Sequence, residues 1–371
     1  MGKPKKITFV INNLSGGGAE RILVNVLNNI DQSKIQPTLF LFEKQGSYLK
    51  DLNKDIPIKY ACSPKKENVG RAGKLKKFLL RGTVGIHSLT KEIEDQDLVV
   101  AFLEKGVTYL TYEACRRANK PCYAWLHNNI EDSFGLIHKI LSKFVYKRVE
   151  QVLCVSNECE QIAIKEFPFL KERIKTIYNP IDLDVIIRKS LDSCDFVLPK
   201  GINILAIGRL TEQKGFDILV KSFKRIYTRY EDLNLIILGE GEQRSELERL
   251  IIEQELQGKI YLPGFVNNPY AVLKEADVFV LSSRYEGLPT VLIEALTLNK
   301  QIVSTRCSGA SEILADGVYG KLVEINNVDS LANGIESILK SPIQVEGDER
   351  VQLFDKHKII NQIQSALIDH K

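Results

Sequence analysis

Apolar residues along this chain fall into two alternating kinds of run. Short continuous Val/Ile/Leu runs occupy 7–12, 38–42, 98–102, 122–126 and 152–156 in the first half, and 202–207, 233–238, 259–262, 278–281 and 301–304 in the second. Runs that are apolar at every position predict parallel strands covered on both faces. Between them lie stretches with a helical period, such as 217–230 and 243–255. The alternation predicts an α/β protein with two doubly wound domains, each built on its own sheet.

Breaks in the pattern set the expected boundaries. Asn179-Pro180 interrupts regular structure, and the residues from 184 to 200 show no strand period before Pro199-Lys200-Gly201. Ser341-Pro342 is a second break, and the helical segment 352–368 follows after the second domain is complete. The expected domains are therefore 1–180 and 181–342, with 343–371 supplying a C-terminal helix that crosses back to the first domain.

Composition narrows this little. With 371 residues, 44% hydrophobic and 26% charged, the chain reads as an ordinary globular protein of two domains. No apolar run approaches the length of a membrane span. The start, Met1 to Lys6, leads straight into a strand-like run with no secretory pattern. Seven cysteines without a CxxC pair predict reduced thiols and a cytoplasmic setting. Charge is more informative. Residues 1–190 carry 31 Lys+Arg against 21 Asp+Glu, a net of +10; residues 191–371 carry 20 against 26, a net of −6. The two halves are expected to meet different partners.

Candidate chemistry sits at strand ends. Ser282-Ser283-Arg284-Tyr285-Glu286-Gly287-Leu288-Pro289-Thr290-Val291 follows the 278–281 run and opens a helix containing Glu294. Free amides at that helix start form an anion site. Were both acids helical, they would lie about 12 Å apart along the axis. A retaining hydrolase needs about 5 Å, so Glu286 and Glu294 read as two clamps on a ligand with hydroxyls at both ends and phosphates between. Gly16-Gly17-Gly18 after the first strand allows close backbone approach to an anion, although the dinucleotide fingerprint is absent and a tight turn also explains it. Gly208-Arg209 and Lys214 end the first strand of the second half, where two cations can grip a diphosphate or stand as solvated charges. Gly239 and the Gly264-Phe265-Val266 turn are positioned to let backbone reach a base or ribose. His127 follows the 122–126 run, where a histidine can face a ligand or be structural. The histidines are scattered, no Asp-x-Asp follows a strand, and no metal site is expected.

Taken in this order, the motifs resemble the family-4 retaining glycosyltransferases of GT-B fold, above all those of bacterial capsule, O-antigen and lipid-linked oligosaccharide assembly. The resemblance runs over nearly the whole chain. It implies two Rossmann-like domains facing across a cleft, and transfer of a sugar from a nucleotide sugar, UDP-linked, to a glycan on a polyprenyl carrier. Arg209 and Lys214 would hold the diphosphate, with Gly17 and Gly18 opposite. Glu286 would contact sugar hydroxyls and Glu294 the ribose. The segment Gly287, Leu288, Pro289, Thr290 and Val291 would hold phosphate, and the 264–266 turn the base. His127 would stand near the transferred sugar. The family's front-face mechanism needs no protein nucleophile, no cofactor and no obligate metal. Asn128 stands where some relatives carry an acid, which removes the basis for an acid–base role there.

The basic segment 64–81, with Lys74, Lys76, Lys77 and Arg81 interleaved with apolar residues, suits an anionic membrane surface or a lipid-linked pyrophosphate. A second basic helix is expected at 137–149. A solvated helix face is the alternative reading of either one. No nucleic-acid motif accompanies the charge. The resulting expectation is a peripheral enzyme on the cytoplasmic face of the membrane. The alternatives are a nucleotide-sugar epimerase of similar shape and a non-catalytic nucleotide-sugar or membrane-binding subunit.

Overall fold

The computed structural model describes residues 3–15, 17–61, 71–194, 196–230, 232–343 and 347–369, without the side chains of 71–81, 132, 133 and 348. The chain divides into two compact units, Met1–Pro180 with His357–Lys371, and Ile181–Lys356.

The first unit is built on seven parallel strands. These are β1 (Lys5–Ile11), β2 (Ile35–Leu41), β3 (Ile58–Tyr60), β4 (Leu98–Ala101), β5 (Cys122–Leu126), β6 (Gln151–Cys154) and β7 (Ile174–Thr176). Their order is β3-β2-β1-β4-β5-β6-β7. β4 and β5 are buried at every position, because helices cover both faces of the sheet. Connections run outward in both directions from β1 and β4, which makes the gap between their C-terminal ends a topological switch point.

The second unit repeats this plan with six strands. They are β8 (Ile202–Ile207), β9 (Leu233–Leu238), β10 (Ile260–Gly264), β11 (Val278–Leu281), β12 (Gln301–Thr305) and β13 (Lys321–Val323), ordered β10-β9-β8-β11-β12-β13. Its switch point lies between β8 and β11. Helix Phe216–Ile226 shows how the helical period becomes packing. Phe216, Leu219, Val220, Phe223 and Ile226 form one buried stripe, and Ser222 Oγ donates to the Val328 carbonyl at 3.0 Å, fixing the helix against Val328–Lys340.

Three strands, β3, β7 and β13, have no counterpart among the expected ones. Each has three residues and lies at a sheet edge, where one side is solvated and no continuous apolar run is required. Near the C-terminus, Ile343 and residues 347–356, grouped above with the final helix, pack on the second unit instead. Ile343 exchanges two 2.8 Å hydrogen bonds with the Gln301 side chain, Arg350 Nε donates to the Ile313 carbonyl, and Ile181 bridges to Asp355. Helix Lys356–Ile368 is tied to the first unit. Lys5 Nζ donates to the Leu367 carbonyl at 2.9 Å, and Gln364 accepts from the Asp31 amide at 2.6 Å. The described cysteines are free thiols.

Candidate active site

In the second unit the loops after β8 and β11 meet at the switch point. Lys214 follows β8 and Glu286 follows β11, and Lys214 Nζ lies 2.6 Å from Glu286 Oε1. The same oxygen accepts from Ser283 Oγ at 2.7 Å. Glu286 is only 8% exposed, so this is a shielded ion pair and not a surface one. Its second oxygen has only a long contact, 3.4 Å, from Gln213 Nε2, which donates chiefly to the Tyr285 carbonyl at 2.9 Å.

Backbone and side chains hold the two loops in register. Ser282 Oγ donates to the Lys214 carbonyl at 2.8 Å, the Arg284 amide to the Gln213 carbonyl at 2.8 Å, and the Arg284 guanidinium pairs with Asp217 at 2.9 Å. From β12, Thr305 Oγ1 donates to the Ser283 carbonyl at 2.6 Å. Gly215 sits between these loops at φ +62, and a Cβ there would lie 2.2 Å from the Ser282 oxygen. The close approach therefore requires glycine.

The other sequence-derived positions fall around this pair. Arg209 is exposed and its guanidinium makes no hydrogen bond or ion pair with the described residues, so its fork is available to an anion. Gly239, at φ +143, passes so close to the Gly208 carbonyl that a Cβ would be 2.0 Å from it. The Gly239 amide donates to the Gly264 carbonyl at 2.9 Å, which brings the ends of β8, β9 and β10 side by side. Phe265 projects 72% exposed, with Val266 half-buried beside it. Gly287, Leu288 and Pro289 are buried, and helix Thr290–Thr297 starts after them with no side-chain cap on its first amides. Glu294 is half-buried one turn into that helix, near Tyr270 Oη at 3.5 Å.

In the first unit, His127 follows β5. The residue is 8% exposed, and its ring stacks with Trp125, with centroids 5.9 Å apart, and tilts onto Phe102 at 4.6 Å. Nε2 is buried without a hydrogen-bond partner, and burial pushes the imidazole pKa down to about 3. Glu104, after β4, accepts from the His127 amide at 3.2 Å and from Asn128 Nδ2 at 2.5 Å. Sequence reasoning passed over Glu104, although an acid two residues beyond a buried strand run was visible. Ser283 and Gln213 were passed over too. Gly17 is buried and Gly18 exposed, and the Glu20 carboxylate folds over Gly17 so that a Cβ there would meet it at 2.1 Å. An acid in the first turn suits the helix dipole. The side chains of Lys74, Lys76, Lys77 and Arg81 lie outside the described residues.

Two family models match the chain. "Glycosyltransferase Family 4" matches residues 16–185 and "Glycosyl transferases group 1" matches 197–354. A Campylobacter jejuni relative is 30% identical over 370 residues, covering 96% of this chain and 97% of its own. It is an N-acetylgalactosamine-N,N'-diacetylbacillosaminyl-diphospho-undecaprenol 4-alpha-N-acetylgalactosaminyltransferase. The chain belongs to glycosyltransferase family 4. An Escherichia coli relative of this glycosyltransferase, a UDP-Gal:alpha-D-GlcNAc-diphosphoundecaprenol alpha-1,3-galactosyltransferase, is 26% identical over 76% of the chain and 75% of its own length. Among solved structures, Anabaena HepE in complex with UDP and glucose superposes with a TM-score of 0.82 at 20% identity, covering 99% of this chain and 100% of that one. Sucrose-phosphate synthase from Thermosynechococcus elongatus gives 0.78 at 17% identity, covering 98% of each. The two parallel-sheet units of the glycosyltransferase are those of the GT-B fold. Among the described residues no cluster of metal-ligating side chains occurs, and no helix is long and apolar enough to cross a membrane.

Proposed function

We propose that this glycosyltransferase moves a sugar from a UDP-linked donor to a saccharide carried on polyprenyl diphosphate, with retention at the anomeric carbon, while resting on the cytoplasmic face of a membrane. The observation that carries the reading is the shielded Lys214–Glu286 pair at the switch point, the place where open α/β sheets bind ligands. The Campylobacter relative, which matches end to end, supports the acceptor class.

The geometry of the second unit supports these roles. Lys214 donates one of its three N–H groups to Glu286, which leaves two for a diphosphate oxygen. Arg209 brings an unengaged fork to the same phosphates, and the uncapped start of helix Thr290–Thr297 adds amides from the other side. Glu286 Oε1 is saturated by Lys214 and Ser283, while Oε2, with only the long contact from Gln213, has room to accept from a sugar hydroxyl. Glu294 serves the ribose, and Gly239 with the Gly264-Phe265-Val266 turn serves the base. By the resemblance to the family, Gly17 and Gly18 serve the phosphates and His127 the sugar. Buried and neutral, His127 offers a hydrogen bond and not a positive charge. Stabilising the departing diphosphate lowers the barrier, and that diphosphate accepts the acceptor's proton.

The test is sugar transfer by Lys214→Ala and Glu286→Ala with donors screened by product mass and anomeric configuration. Each change is expected to lower kcat by about a hundredfold or more, a typical loss for one electrostatic contact to a transition state. Full activity in both variants would sink the site. Epimerised donor without acceptor, or UDP binding without turnover on any lipid acceptor, would overturn the reaction.

A further inference from the structure

Helix Leu136–Tyr146 presents its apolar side outward. Leu136, Ile137, Ile140, Leu141 and Phe144 are between 45% and 76% exposed. At helical spacing these five side chains fall within an arc of about 140°. The opposite side is anchored. Ser142, Val145 and Tyr146 are buried, Tyr109 Oη donates to the His138 carbonyl at 3.1 Å and meets Ser142 Oγ at 2.9 Å, and Tyr146 packs edge-on against Phe167. The exposed stripe is therefore a fixed feature of the first unit and not a frayed end. A contiguous apolar patch of this kind marks an interaction surface.

The charges around the stripe choose the partner. From 134 to 149 the chain carries Lys139, Lys143, Lys147 and Arg148 and no acid. Lys139 pairs with Glu166 at 3.1 Å, but Lys143, Lys147 and Arg148 are exposed at the margin, and Arg148 lies over the Phe144 ring at 3.8 Å. We infer that this face docks the chain on an anionic lipid bilayer, with the apolar stripe in the acyl boundary and the basic rim on the headgroups. A second copy of the chain fits less well, since a self-complementary contact would bring two basic rims together. At 11 residues the helix lies in the surface and does not cross it. The inference deepens the proposed lipid-linked acceptor and rests on that reading for why a bilayer is there.

The full chain is tested by co-sedimentation with vesicles of phosphatidylcholine and phosphatidylglycerol, and of phosphatidylcholine alone. The triple variant Leu136→Gln, Ile140→Gln, Phe144→Gln is expected to weaken binding to the anionic vesicles by about tenfold or more. Lys143→Gln with Lys147→Gln is expected to remove most of the preference for them and most of its salt dependence. Circular dichroism confirms that both variants fold, as changes at exposed positions allow. Unchanged vesicle binding by the triple variant overturns the inference. So does a parent chain that ignores vesicles but forms a dimer which the triple variant dissolves. UDP affinity by calorimetry is expected to be equal in parent and variant. Vesicle binding without UDP affinity upholds the docking face and overturns the donor reading.

Discussion

His127 makes the stability of the first unit depend on pH in a way that one substitution removes. Its imidazole has a pKa near 6.5 in an unfolded chain and about 3 in the buried stack with Trp125 and Phe102. Above pH 6.5 both states are neutral there, and the fold bears no penalty. Below it the unfolded chain takes up a proton that the native state refuses. Stability is therefore lost as pH falls from 6.5 towards 3, by about 1.4 kcal/mol per unit. Between pH 7 and pH 5 the loss is about 2 kcal/mol. Trp125 is the single tryptophan, is fully buried and stacks on the ring in question, so its fluorescence follows the unfolding of this unit. Urea unfolding at pH 7 and pH 5 is measured on the parent and on His127→Gln, which keeps a polar side chain of similar reach but does not titrate. The parent is expected to lose about 2 kcal/mol more than the variant over that interval. Equal losses would show that His127 is solvated or already charged in the native state, and the neutral role proposed for it would fall.

Two further outcomes follow from the loops. Gly215→Ala forces a methyl against the Ser282 carbonyl at a positive φ, so it is expected to lower the melting free energy by about 2 kcal/mol or more and to raise KM for donor by displacing Lys214; an unshifted circular-dichroism melt would refute the close packing of the two loops. Glu104→Ala strips the acceptor from the His127 amide and Asn128, and is expected to reduce kcat about tenfold with little change in melting temperature, while Glu104→Gln restores part of it through its carbonyl oxygen; equal activity of Ala and parent would show that Asn128 needs no positioning.

The central strands were legible because burial on both faces imposes a pattern that a chain can hardly carry for another reason. β4 reads Leu-Val-Val-Ala and β11 reads Val-Phe-Val-Leu, and both are buried throughout. The edge strands β3, β7 and β13 are constrained on one side only, so Ile58-Lys59-Tyr60 reads as loop. The site divides in the same way. Lys214 and Glu286 each stood out at a strand end, but their 2.6 Å contact depends on β8 lying beside β11, a fact of topology that neither segment carries alone. Ser283 and Gln213 orient that pair and have no signature of their own. His127 was legible as a position, yet its depressed pKa comes from Phe102 and Trp125 closing over the ring, and Phe102 arrives from the end of the neighbouring strand.

The helix Leu136–Tyr146 shows the limit from the other direction. A helical period with basic residues predicts an amphipathic helix, but it cannot say which face the rest of the chain will cover. In most surface helices the apolar stripe is the covered one. Here the small polar Ser142, with Val145 and Tyr146, occupies the inner side and leaves the wider apolar stripe in solvent. Tertiary packing alone reveals that choice. It turns an ordinary helical pattern into an exposed apolar stripe bordered by Lys143, Lys147 and Arg148, and the inferred bilayer docking rests on that juxtaposition.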